Sequence, residues 1–345
     1  MWILVRAPLQ VLPAALALLA LWSAGPASRA MAGSQFSVGV IEYNAKESQG
    51  GWTTQYGDVL AKQIKLIVDK IGDKSNPSPV QFIALDQAKA ESRPCTANDD
   101  TLVSCALEHN QLPGWTTIVS DCEPEQIELA YSKDWKLVDA PNTTNPLVDG
   151  YHNDDPTKFR NVCWAEKTHG ARGRPYNIAY FENVASKETV LFVIVHMPHQ
   201  YPENCTGPKC YAGNYYWDIP QFKRDVQTVV GANVDLTKVH LIVAGDMNDL
   251  GNDDDPAKFT SILGDFGAVK ISEQTISPPY MTCCANDDYT AGYYDRIVTN
   301  STVAPQYSVI DSNIYPLNKT KILQQNRINK EHKATYGEVI FPATP

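Results

Sequence analysis

The sequence predicts an α/β fold. Two apolar runs, "VLFVIVHMPH" (190–199) and "VHLIVAGDMND" (239–249), read as buried strands. The segment "YGDVLAKQIKLIVDKIG" (56–72) sets Val59, Leu60, Ile64, Ile67, Val68 and Ile71 at helical spacing. Strand-like and helix-like stretches also alternate along the chain, the order expected of mixed α/β architecture.

Taken in order, "FSVGVIEYN" (36–44) is a strand, followed by the helix over 56–72 and the strand "VQFIALDQ" (80–87). "QIELAYS" (126–132) is a further strand, and the buried run over 190–199 leads to a helix in "DIPQFKRDVQTVVGA" (218–232). After the run over 239–249, "YYDRIVTN" (293–300) and "KATYGEVIF" (333–341) complete the β content. The stretches "DKSNPSP" (73–79) and "DAPNTTNPLVDG" (139–150) are loop-like. Neither separates regions of different composition, so residues 35–342 are expected to form one domain, large enough for a sizeable core.

The N-terminus has the order of a secretory signal peptide: Arg6, a short apolar run from Val11 to Trp22, then small residues in "GPASRA". Cleavage after Ala30 is expected, with the mature chain starting at Met31. The apolar run is short for a membrane span. Secretion agrees with eight cysteines, all in the mature part: Cys95, Cys105, Cys122, Cys163, Cys205, Cys210, Cys283 and Cys284. In an oxidising compartment these would mostly pair. Only Cys205 with Cys210, across "CTGPKC", reads as a local bridge. Asn142, Asn204, Asn300 and Asn318 lie in glycosylation sequons.

The formal charge is −10, and removing residues 1–30 takes away two positive charges, Arg6 and Arg29, to leave −12. That is not the basic footprint of a typical nucleic-acid binder. It suits a protein that collects divalent cations.

Four strands end in polar residues: Asn44; Asp86 and Gln87; His196; Asp246 and Asn248. Buried strands carry their last side chains to one edge of a sheet, the usual place for a site in α/β folds. Amide, carboxylate and imidazole groups gathered at such an edge point to chemistry.

With "GDMND" (245–249), "YDRIV" (294–298) after it, and a His-containing segment before the last strand, the chain resembles the endonuclease/exonuclease/phosphatase superfamily, and within it the deoxyribonuclease I type. The resemblance covers most of the mature chain in the expected order. It implies a four-layer sandwich of two packed mixed β-sheets flanked by helices, and a metal-dependent phosphodiesterase. Carried over residue by residue, "VIEYN" places Asn44 as a metal-binding residue, and "EQIELAYSKDWKLV" points to Glu125 as the acid paired with a histidine. "FVIVHMPH" supplies His196, and "GDMND" supplies Asp246 and Asn248 near the scissile phosphate. "YDRIV" supplies Asp295, and "KEHKATYGEV" supplies His332, with Glu331 before it. Two departures stand out. The second strand lacks the family's usual "QE" glutamate, so Asp86 or Gln87 must substitute, and strict alignment lands on Ala88. Glu331 stands where aspartate is usual.

Phosphodiester cleavage needs an activated water, a proton for the leaving oxygen and neutralised charge. His196 with Glu125, and His332 with Asp295, form the expected acid/base pairs. Asn44, Asp86 and Glu331 are the expected holders of Mg²⁺ or Mn²⁺, with Ca²⁺ as a further candidate. Arg160, Arg172 and Arg174 are candidate contacts to a phosphate backbone. The expected activity is therefore a secreted, monomeric, DNA-cleaving endonuclease of low sequence specificity, without stable membrane association. A sphingomyelinase-type lipid phosphodiesterase of the same superfamily and a catalytically inactive secreted binding protein are the competing readings.

Overall fold

A parallel pair opens the chain. β1 (Gln35–Asn44) and β2 (Val80–Asp86) run side by side in parallel, with Asn44 opposite Asp86 at their ends. Parallel neighbours need a crossover, and helix α1 (Tyr56–Gly72) supplies it. Leu60, Ala61, Ile64, Ile67 and Ile71 recur on one side of α1 and are buried. They pack against Ile41 and Tyr43 of β1, Ile83 and Leu85 of β2, and the short helix α2 (Val103–Ala106). The Gln63 side chain adds a buried bond of 3.1 Å to the Tyr43 hydroxyl.

β3 (Thr116–Ser120) and β4 (Ile127–Tyr131) extend this sheet as an antiparallel hairpin. The chain then enters a second sheet through β5 (Trp135–Leu137), β6 (Phe159–Cys163), β7 (Pro175–Asn183) and β8 (Thr189–His196). β9 (Leu241–Asp246), β10 (Lys270–Ile271) and β11 (Asp295–Thr299) complete it. β12 (Gln306–Ile310) and β13 (Ala334–Pro342) return to the first sheet. Among the described residues the first sheet has six strands in the order β12-β13-β1-β2-β4-β3. The second has seven, in the order β10-β11-β9-β8-β7-β5 with β6 also on β7. β8 and β9 are parallel, as β1 and β2 are.

The described residues of the computed structural model are 35–44, 56–72, 79–86, 102–120, 127–138, 159–163, 175–196, 226–227, 229–247, 263–267, 270–271, 295–303, 306–310 and 334–343.

The two sheets meet face to face. Val38, Val40, Phe82, Ala84 and Leu129 of the first sheet interlock with Phe181, Phe192, Ile194, Ile242 and Ala244 of the second. Phe82 is the hub: its ring lies 5.0 Å from both Phe181 and Phe192 and 5.2 Å from Trp135. On the far side of the second sheet, Val226, Val229 and Val230 pack on Leu191, Val193, Val195, Leu241 and Val243. Three apolar layers therefore separate four structural layers: helix, sheet, sheet, helix. This is the sandwich that the sequence resemblance implies. β3, β5, β6, β7, β10 and β12 are not among the expected elements. All but β7 are five residues or fewer, too short to show a period in the sequence; β7, nine residues long, is missed although its length is that of an ordinary strand.

Asn300, one of the four sequon asparagines, is bonded within the structure. Its carboxamide accepts from Leu241 N at 2.9 Å and donates to Val239 O at 2.7 Å and Phe266 O at 3.2 Å. The side chain that the sequon marks for a glycan instead ties β9 to the residues after β11. Among the described residues no helix is long and apolar enough to cross a membrane.

Candidate active site

Two parallel pairs deliver the site. In the first sheet, β1 and β2 end together on Asn44 and Asp86. In the second, β8 and β9 end together on His196 and Asp246. β11 enters the same edge from the opposite direction, and its first residue, Asp295, faces Asp246. All five side chains are buried. Alternation directs them inward: Val38, Val40, Ile194, Ile242 and Ala244 line the core between the sheets, and the polar residues continue the same faces at the strand ends.

Hydrogen bonds close the gap between the sheets. Asn44 Nδ2 donates to Asp246 Oδ2 at 2.6 Å. A carboxylate only accepts, so the amide turns its nitrogen toward Asp246 and its oxygen away. The backbone N–H of Asp246 donates to Asp86 Oδ2. Asp246 Oδ2 also lies 3.8 Å from His196 Nε2, beyond hydrogen-bond length but close enough for a charged imidazole to feel it. Thr335 Oγ1 of β13 donates to the Asp295 carbonyl at 3.4 Å. Asp246 is thus the hub, touching both sheets and the histidine.

The glycine of "GDMND" has a mechanical reason. Gly245 has φ +148°, and a Cβ there would sit 1.8 Å from the Val195 carbonyl oxygen. Only glycine lets β9 lie this close to β8, and that approach sets Asp246 beside His196.

Glu42 is the residue that sequence reasoning missed. It lies two positions before Asn44 on the same face of β1, and it is fully buried. Neither carboxylate oxygen has a hydrogen-bond partner among the described residues. Burial holds this carboxyl well above the usual carboxylate range, and the charges of Asp295, Asp86 and Asp246 raise it further. In the structure the alternation Val38, Val40, Glu42, Asn44 puts this carboxylate on the inward face. Asn177 of β7 is also buried, next to Ile194 of β8, and both ends of its amide have no hydrogen-bond partner among the described residues.

The structure therefore brings together Asn44, Asp86, His196, Asp246 and Asp295. Glu125, Asn248, Glu331, His332, Arg172 and Arg174 lie outside the described residues. Arg160 is placed only by its backbone, opposite Ile178 in β6. Gln87 and Ala88, the other candidates for the end of the second strand, also lie outside them.

The oxygen-rich donor set fits a hard divalent cation. The oxygens of Glu42 have no hydrogen-bond partner among the described residues, and burial and three neighbouring carboxylates disfavour its charged form; a cation would answer both. Among the described residues no three His, Cys, Asp or Glu side chains form a preset cage.

No protein-family model matches the sequence, and no curated protein resembles it in sequence. Solved structures share its fold. An endonuclease/exonuclease/phosphatase family protein from Bacteroides thetaiotaomicron superposes with a TM-score of 0.53 at 13% identity, over 90% of this chain and 96% of that one. A mannosyl-6-phosphatase from the same organism gives 0.52 at 12%, over 88% and 99%. TDP2 from D. rerio, crystallised with a single-strand DNA product, gives 0.50 at 12%, over 89% and 99%. The chain has the fold of the endonuclease/exonuclease/phosphatase superfamily.

Proposed function

We propose that this chain is a secreted, metal-dependent phosphodiesterase that nicks DNA with low sequence specificity. One observation carries the reading. Two parallel strand pairs from different sheets end on Asn44, Asp86, His196 and Asp246 at a single buried edge, joined across the gap by the Asn44–Asp246 bond. An amide, three acids including Asp295, and an imidazole are the groups that phosphoryl transfer requires.

Asn44 and Asp86 would hold the cation, together with Glu331. The cation neutralises charge on the phosphoryl oxygens when bound. Asp246, fixed by the Asn44 amide, orients the attacking water or the phosphate, and Asn248 does the same from two residues on. His196 moves a proton at Nε2, the nitrogen nearest Asp246, with Glu125 as its orienting acid. His332, oriented by Asp295, handles the second proton. Burial of the site excludes bulk water and strengthens each of these interactions.

The structural neighbours support phosphoester chemistry, since one carries a DNA product and another is named a phosphatase. Secretion rests on the signal-like N-terminus and is supported by Cys105 of α2, which is disulfide-bonded. A chain of this acidity making few phosphate contacts binds DNA weakly, through Arg160, Arg172 and Arg174, and loses it as salt rises.

The test is turnover against plasmid DNA, RNA, sphingomyelin, a sugar monophosphate and a bis-aryl phosphate, all with Mg²⁺ or Mn²⁺. Nicking of plasmid at many sites is expected, weakened by Arg172→Ala with Arg174→Ala while the bis-aryl phosphate is still cleaved. Turnover of sphingomyelin with DNA left intact would replace the nuclease reading by the lipid one.

A further inference from the structure

Glu42 has no place in the acid/base scheme above, yet it is the most completely enclosed acid at this edge. Strand alternation puts it on the face between the sheets, one step deeper than Asn44, about 7 Å along β1. It is 0% exposed, and neither of its oxygens has a hydrogen-bond partner among the described residues.

Its strand neighbours do not answer it. Glu42 lies opposite Thr335 on β13 and Ala84 on β2. The Thr335 hydroxyl donates elsewhere, to the Asp295 carbonyl, and alanine has nothing to give. The charges that reach Glu42 are those of Asp295, Asp86 and Asp246, all of the same sign. The flanking positions on this face, Val38 and Val40, are ordinary core residues. An apolar side chain at 42 would therefore have continued the core, and a buried carboxylate needs a counter-charge to persist there.

We propose that Glu42 is a cation-binding carboxylate, acting with Asn44 and Asp86 on one hard divalent ion held between the two sheets. Asn44 and Asp86 reach the ion from the paired strand ends with short side chains. Glu42 starts one step deeper and carries an extra methylene, so its carboxylate would reach the same ion. With Glu42, Asp86 and Glu331 as acids and Asn44 as amide, the remaining coordination positions would belong to water and to a phosphate oxygen. This rests on the phosphodiesterase reading only for the kind of ion; binding is measured without substrate.

The experiment is titration of the chelator-stripped full chain with Mn²⁺, following free Mn²⁺ by electron paramagnetic resonance. The wild type is expected to bind one ion that Asp86→Asn weakens. Glu42→Gln, nearly the same in shape, should weaken binding by about 10- to 100-fold, the range for residues supporting a metal centre. Glu42→Asp, which keeps the charge and loses reach, should fall between. Melting in chelator supplies the second readout. Glu42→Gln should melt at or above the wild-type midpoint, because a buried carboxyl crowded by three acids is gone, and should gain less from added Mn²⁺. Wild-type Mn²⁺ affinity in Glu42→Gln, no binding by the wild type, or a lower midpoint for Glu42→Gln in chelator would each overturn the proposal. Glu42-dependent binding without hydrolysis of any phosphoester would sink the phosphodiesterase reading and leave this assignment standing. Metal-dependent hydrolysis with unchanged affinity in Glu42→Gln would do the reverse.

Discussion

Asn44 and Asp246 are 202 residues apart in the chain and 2.6 Å apart in the structure, bonded across the gap between the two sheets. The bond fixes the Asp246 carboxylate and leaves the Asn44 oxygen pointing the other way. Asn44→Ala removes a neutral side-chain donor from that carboxylate. The expected cost is about 1.5–3 kcal/mol, the range for hydrogen bonds to charged groups. Denaturant unfolding in chelator measures it. An unchanged unfolding free energy would mean that the bond does not tie the sheets together.

The histidine carries the second prediction. His196→Ala should lower kcat on a bis-aryl phosphate by about 10²- to 10⁴-fold at saturating metal, as for other general acid–base groups. His332→Ala should do the same, and the double variant should fall less than the product of the two. His199, three residues after His196 in "HMPH" and without a role in the scheme, should matter little when replaced by alanine. A larger loss from His199 than from His196 would mean that the site has been placed on the wrong strand end.

Gly245→Ala tests the approach of β9 to β8. The added Cβ meets the Val195 carbonyl at 1.8 Å, and the backbone holds φ +148°. Destabilisation of more than about 1 kcal/mol is expected, with lost activity, because any shift of β9 separates Asp246 from His196. A variant with the wild-type melting point and rate would show that this contact is not needed.

His240 sits at the start of β9, its ring 4.6 Å from Phe341 and 5.3 Å from Phe36. Burial lowers its pKa from the usual 6.5, and Glu188 only partly opposes this. The folded state therefore resists protonation that the unfolded chain accepts. Stability should be fully present above pH 6.5 and fall as pH drops below it. Melting midpoints between about pH 7.5 and 5.5 should decline more in the wild type than in His240→Phe. Equal declines would remove His240 as the cause.

Much of this was legible in the sequence, for a physical reason. The runs ending on His196 and Asp246 are buried strands whose polar ends stand out against apolar neighbours, and "GDMND" and "YDRIV" preserve spacing around Asp246 and Asp295. Glu42 was not legible. β1 is buried on both faces from Val38 to Asn44, so "VGVIEYN" shows no polar face that would reveal which way Glu42 points. Nor does a sequon reveal whether its asparagine is already bonded, as Asn300 is. The choice among Asp86, Gln87 and Ala88 depends on strand register, which local sequence does not set; in the structure it is Asp86 that lies opposite Asn44.

Initial-rate hydrolysis of bis(p-nitrophenyl) phosphate by the full chain tests the central claim most directly. It is measured in EDTA, then with Mg²⁺ or Mn²⁺ restored, with Asp246→Asn run in parallel. The account predicts no turnover in chelator, recovery with either ion, and a rate lower by at least about 10²-fold in Asp246→Asn under the same conditions. Full turnover in EDTA after exhaustive dialysis, or an undiminished rate in Asp246→Asn, would contradict it.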